Sequence, residues 1–196
     1  MGEKEYLDAK ERALHSLETA CADHKVDDAI LPLLTIINNI KGFYTSSSCA
    51  GRIVLLEIPH IGDKRQAKFL GVWHRPIEPT EIQTAASSAT TGVLWLLAQA
   101  PILHIGVRTP ELAETMIKTA ISSGFKNSGI KSIGKKIVIE AASTERLDAP
   151  LGRDGVLLCD QNYLFLLVEI ANEVIERSRE KLRKFEKTLG KIPVFH

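Results

Sequence analysis

Cysteine is scarce in this 196-residue chain, and Cys21, Cys49 and Cys159 stand far apart. Without a C-x-x-C pair the sequence suggests neither a zinc site nor a disulfide framework. No apolar run approaches the ~20 residues that span a bilayer. The first residues show no basic stretch leading into an apolar core, so no secretory signal is expected and a reduced, cytoplasmic protein is the reading. An excess of either charge is also missing. The chain has 25 Lys and Arg against 24 Asp and Glu, for a net charge of +1. That balance gives no general attraction to nucleic acid or to a membrane surface. The G-x-G-x-x-G fingerprint of dinucleotide-type folds does not occur. Internal repeats, low-complexity tracts and linkers are lacking, so residues 1–196 read as one domain.

What is present is unevenly placed. Residues 1–28 are mostly acidic, with Glu3, Glu5, Asp8, Glu11, Glu18, Asp23, Asp27 and Asp28. Residues 176–191 are mostly basic, with Arg177, Arg179, Lys181, Arg183, Lys184, Lys187 and Lys191. Helical spacing of Leu7, Leu14, Leu17 and Cys21 predicts a helix over 3–22. A second helix is expected after Asp27 or Asp28 toward Gly42. The period then changes, and Phe43–Ser46, Arg52–Ile58 and Lys68–His74 read as strands, with a turn at Gly62-Asp63-Lys64. Thr80–Thr91 is a weak helix. Val93–Ala98 and Ile102–Arg108 are short buried strands. Thr109-Pro110-Glu111 opens a helix with a cap, a proline in the first turn and an acid at the positive end. That helix ends at Gly124. Ser128–Lys131 and Lys136–Ala141 form a hairpin turning at Gly134, and Leu147–Leu151 and Gly155–Cys159 add short strands. Asp160 caps a long last helix to about Leu189. The expected fold is α+β, with a central mixed or antiparallel sheet flanked by N- and C-terminal helices rather than a doubly wound sheet.

Two polar, Gly-punctuated segments stand out between apolar runs: Ser46–Arg52 and Ser123–Ile130. Consecutive hydroxyls and N–H groups beside Gly51, with Arg52 as the cation, suit an anion or a carboxylate. A serine-rich turn explains the first segment equally well. Cys49 reads as a structural thiol rather than a nucleophile. The second segment is not a phosphate loop, because Ile130 separates Gly129 from Lys131 and the stretch follows a helix. Trp73-His74-Arg75-Pro76 ends a strand. It offers an indole to stack and an imidazole to carry a proton, or simply a half-buried strand end. His104, inside an apolar strand, reads first as a core residue. Arg108, just before a helix start, is the better anion ligand.

These segments, taken in order, resemble the wybutosine-synthesising tRNA methyltransferase family, the third enzyme named in that pathway. The resemblance rests on Ser47-Ser48-Cys49-Ala50-Gly51-Arg52-Ile53, on Trp73 with His74, and on Pro101-Ile102-Leu103-His104-Ile105. It continues through Arg108, Ser123–Ile130 and the Pro150 region, over roughly residues 5–190. Ala50 departs from the Ser that also occurs at this family position. The resemblance implies transfer of a methyl group from S-adenosylmethionine to a ring nitrogen, N4, of the tricyclic wye-base precursor 3′ of the anticodon of tRNA-Phe. On that basis Ser47, Ser48 and Arg52 are expected to hold the donor or an RNA phosphate, Trp73 to stack on a base or on the donor adenine, and Arg108 to help hold the donor. His74 is expected to accept the proton, with His104 second. Lys126, Asn127 and Ser128 are expected to contact RNA or the amino-acid chain of the wye base, and Lys131 to contact RNA. No metal is expected. A non-catalytic RNA-binding module is the alternative.

Overall fold

The computed structural model describes residues 2–63 and 65–191. They form α1 (Glu3–Ala22), α2 (Leu31–Asn39), β1 (Phe43–Cys49), β2 (Arg52–Ile58), β3 (Lys68–Trp73), α3 (Pro79–Ala86), β4 (Val93–Gln99) and β5 (Ile102–Val107). There follow α4 (Pro110–Ser122), β6 (Asn127–Ser132), β7 (Ile137–Ala142), β8 (Leu147–Arg153), β9 (Val156–Leu157) and α5 (Gln161–Leu189). Every strand pairing among the described residues is antiparallel. The fold is therefore α+β and not doubly wound, as expected. Its strands divide between two sheets, ordered β1-β5-β7-β6 and β3-β2-β4-β8-β9.

The chain makes two compact units, each assembled from separate stretches of sequence. The first comprises residues 1–50, 101–144 and 178–196, and holds the four-stranded sheet. One face of that sheet carries Phe43, Leu103, Ile105, Val107, Ile137 and Ile139. These pack with Leu33 and Ile37 of α2, Met116 and Ala120 of α4, and Leu182, Phe185 and Leu189 of α5. The rings of Phe125 and Phe185 meet there at 5.2 Å. On the other face, α1 covers one end through Tyr6 and Ala9 against Tyr44.

The second unit comprises residues 51–100 and 145–177, with the five-stranded sheet. Its core joins Ile53, Leu55, Leu94, Leu96 and Leu151 to Ile82 of α3 and to Leu164, Val168, Ala171 and Ile175 of α5. Asn172 ties α5 to the chain before α3. Its amide donates to the Ile77 carbonyl at 2.9 Å and accepts from the Ile77 N–H at 2.8 Å.

The caps fall where the sequence places them. The Thr109 hydroxyl accepts from the Leu112 N–H, and the Asp160 carboxylate accepts from the Tyr163 N–H at 2.8 Å. Helix α3 stops short of the expected Thr91. The buried Glu57 carboxylate accepts from the N–H groups of Thr90 and Thr91, each at 2.5 Å, and holds that stretch as a loop. Lys64, the last residue of the turn expected at Gly62, lies outside the described residues.

Candidate active site

The first polar segment is not a loop over most of its length. Ser46–Cys49 continue β1, because β5 offers a ladder as far as Ile102. A bulge falls between Thr45 and Ser47, so that Thr45 pairs with Ile105 and Ser47 with His104. Ser46 is the extra residue. A bulge bends its strand and re-aims the side chains beyond it. Here it puts Ser47 on the face of His104, opposite the apolar core.

That face carries a polar row across the sheet. The His104 side chain lies between Ser47 on β1 and Glu140 on β7. Its Nε2 sits 2.8 Å from Glu140 Oε2, and its Nδ1 is 3.4 Å from Ser47 Oγ. Lys131, from β6, places its ammonium 2.9 Å from the same Glu140 oxygen. The Lys131 ammonium, then the His104 ring, hold the Glu140 carboxyl below the usual carboxylate range, against a smaller upward push from burial. The imidazole and the carboxylate keep 25% and 22% of their side-chain surface exposed, so the row is reachable from solvent.

Ser48 points the other way, toward the helices. It lines a cavity of about 220 Å³ with Ser46, Ser47, Thr45, Lys25 and Leu34. Its buried hydroxyl has no hydrogen-bond partner among the described residues. Buried polar groups are normally satisfied, so an orphaned hydroxyl in the wall of a cavity stands out.

The second polar segment is half structural. Ser123 is buried and donates to the Thr119 carbonyl. Gly124, at φ +106°, donates to the Ile121 carbonyl, and Phe125 donates to the Ala120 carbonyl. This is the Schellman end of α4, with Phe125 as its apolar anchor. Ser128 donates to the Phe125 carbonyl at 2.5 Å. Lys126 and Asn127 are exposed. Arg108 pairs with Glu3 of α1 at 3.1 Å.

In the second unit, Arg52 donates to Gln99 at 2.7 Å, with its guanidinium 5.9 Å from the centre of the Phe69 ring. The Trp73 indole lies against Gly71, where a Cβ would come within 2.0 Å of the ring. His74 Nδ1 faces the Gly51 carbonyl at 3.1 Å. Arg75 forms a two-pronged pair with Glu81 and, with the Glu78 N–H, holds that carboxyl down to about 2.

Glu140 is the member of the row that sequence reasoning missed. A signal was available. It is a lone charge in an apolar strand, as His104 is a lone ring in the neighbouring one. Among the described residues no cluster of His, Cys, Asp or Glu could hold a metal ion, and no helix is long and apolar enough to cross a membrane.

The family model described as Methyltransferase TYW3 matches residues 8–191. The chain belongs to the TYW3 methyltransferase family. Within that family it is 46% identical to a Pyrococcus horikoshii protein over 93% of each chain. That relative is named tRNA(Phe) 7-((3-amino-3-carboxypropyl)-4-demethylwyosine(37)-N(4))-methyltransferase 1. A Thermococcus kodakarensis protein of the same name is 44% identical, again over 93% of each chain. Among solved structures, the PH1069 protein of P. horikoshii superposes with a TM-score of 0.91 at 45% identity, over 95% of this chain and 96% of that one. A hypothetical protein from Aeropyrum pernix gives 0.76 at 29% identity, over 86% and 99%. TYW3 membership explains the missing glycine fingerprint, since these neighbours share the antiparallel α+β fold.

Proposed function

We propose that the chain methylates N4 of the 7-(3-amino-3-carboxypropyl)-4-demethylwyosine base at position 37 of tRNA(Phe), with S-adenosylmethionine as donor. The observation that carries this reading is the TYW3 match over residues 8–191, with relatives of that one name at about 45% identity.

The donor supplies an electrophilic methyl carbon, and the protein's residues must align it, accept a proton and keep cations off the sulfur. The residues around Ser48 fit part of such a molecule. A cavity of about 220 Å³ is below the ~300–1,000 Å³ of whole-ligand pockets. Its hydroxyls and Lys25 suit a carboxylate or a ribose edge rather than the entire donor.

The target nitrogen loses a proton during transfer, so a positioned base is useful. We assign that role to His104, ranked second by the sequence, because its ring bridges a carboxylate and a hydroxyl on an open face. The His74 ring is set against the Gly51 carbonyl at the end of its strand. Lys126 and Asn127, exposed at the start of β6, are the proposed RNA contacts.

The test is direct. S-adenosylmethionine should give binding heat and raise the melting temperature by mass action. The purified protein should then methylate tRNA(Phe) carrying the demethyl precursor and leave unmodified tRNA(Phe) alone. tRNA binding with no donor heat, no melting shift and no transfer would leave only an RNA-binding module.

A further inference from the structure

We infer that Glu140 is a positioning residue for the methyl transfer: it fixes the tautomer of His104. The inference rests on the reading of His104 as proton acceptor. An ionised carboxylate can only accept hydrogen bonds. Glu140 Oε2 lies 2.8 Å from His104 Nε2, so the neutral ring carries its proton on Nε2. Nδ1 is then the basic nitrogen, and it faces Ser47 Oγ and solvent. The ring nitrogen that makes the second hydrogen bond sets the role of the first.

Lys131 completes the device. Its ammonium shares the Glu140 oxygen and keeps that carboxyl charged. A protonated Glu140 could donate to Nε2 and reverse the tautomer. The arrangement is spread over four strands of one sheet, with Ser47 on β1, His104 on β5, Glu140 on β7 and Lys131 on β6. Among the described residues, the charged and titratable groups on this face beside His104 are Glu140, Lys131, Cys49 and Tyr44, which lies opposite Gly106. Cys49 pairs with Ile102 and shares the face by alternation. When the substrate nitrogen gives up its proton, Nδ1 takes it, directly or through the Ser47 hydroxyl. The imidazolium then lies against an anion already in place.

The test compares Glu140→Gln, Glu140→Asp and His104→Ala with wild type. The chain has six histidines. Imidazole ¹⁵N shifts, assigned with His104→Ala, should show wild-type His104 in the Nε2–H form. Glu140→Gln should lose that preference. Its kcat should fall roughly ten-fold, part of the about 10²–10⁴ that a positioned base supplies. Its KM for donor, and the melting shift with S-adenosylhomocysteine, should stay unchanged. Glu140→Asp keeps the charge but shortens the reach, and should be intermediate. It carries the test if the Gln variant does not fold. A folded Glu140 variant that methylates at the wild-type rate, or keeps His104 in the Nε2–H form with Gln opposite, overturns the inference. If His104→Ala is slow while the Glu140 variants are normal, only this inference falls. If His104→Ala is as fast as wild type, the proton-acceptor reading falls and takes this one with it.

Discussion

Replacing Glu57 by Gln perturbs one buried charge with almost no change of shape. The Glu57 side chain is only 5% exposed. One oxygen accepts from the N–H groups of Thr90 and Thr91 at 2.5 Å each, and the other lies 3.9 Å from Lys68. Burial pushes its carboxyl up, but the two backbone donors and Lys68 outweigh that, and the net direction is down. Hydrogen bonds to a charged acceptor are worth about 1.5–3 kcal/mol and neutral ones about 0.5–1.5. The Gln amide keeps both bonds in neutral form and turns its own donor toward Lys68. Relief of the buried charge offsets part of the loss. The net cost is about 2 kcal/mol, or ~4–8 °C in melting temperature for a chain of this size. Trp73 and Trp95 are the only tryptophans, and both lie in the unit that contains Glu57. Tryptophan fluorescence during urea or thermal unfolding therefore reports the affected unit. Because the folded carboxyl is depressed, its contribution is complete above the unfolded value near 4.5 and is lost as pH falls through the lower folded value. The gap between wild type and Glu57→Gln should therefore be widest at neutral pH and close on acidification. Equal stability at pH 7, or a gap constant down to pH 3, would refute the reasoning.

Methyl transfer to a ring nitrogen needs no covalent enzyme intermediate, so Cys49→Ser should keep most of its activity in a tRNA methylation assay. Abolition with folding and both substrates' binding intact would put the thiol into the chemistry. Neutralising Lys126 and Lys131 together should weaken tRNA binding more than neutralising any two cations of α5, because the target base must reach the polar row. Each lost phosphate contact lowers the salt slope by about one or less. Since Lys131 is already paired with Glu140, the double variant should lose nearer one than two. The opposite order in salt-dependent binding would place the RNA along α5.

Local signals in the sequence are reliable where the cause is local. The Thr109 and Asp160 caps, the Gly124 stop and the hairpin through Gly134 each depend on residues within a turn of themselves. Partner choice is different. Ala100-Pro101 separates two apolar runs that look like paired neighbours, yet β4 and β5 belong to different sheets. Nothing in those two residues encodes the separation. Ser46–Cys49 has the composition of a loop and is a strand, because the ladder comes from β5. Serine's weak strand preference yields to a partner that supplies the hydrogen bonds. The family resemblance marks Ser47 and His104, and Lys131 stands just beyond its second polar segment. It missed Glu140, which sits 36 positions from His104 and reaches it only through the register of β5 on β7.

Ser46 carries a consequence for how this family can vary in length. It is surplus to the pairing: Thr45 and Ser47 already face consecutive residues of β5. Deleting it would leave an unbroken ladder with Ser47 still opposite His104. Adding or removing a residue between Ser47 and Cys49 would instead flip every later side chain on β1 to the wrong face. A one-residue gap at position 46 in a relative should therefore keep the register, at the cost of one cavity hydroxyl, and alignments that move such a gap by two places would misassign the serine that meets the histidine.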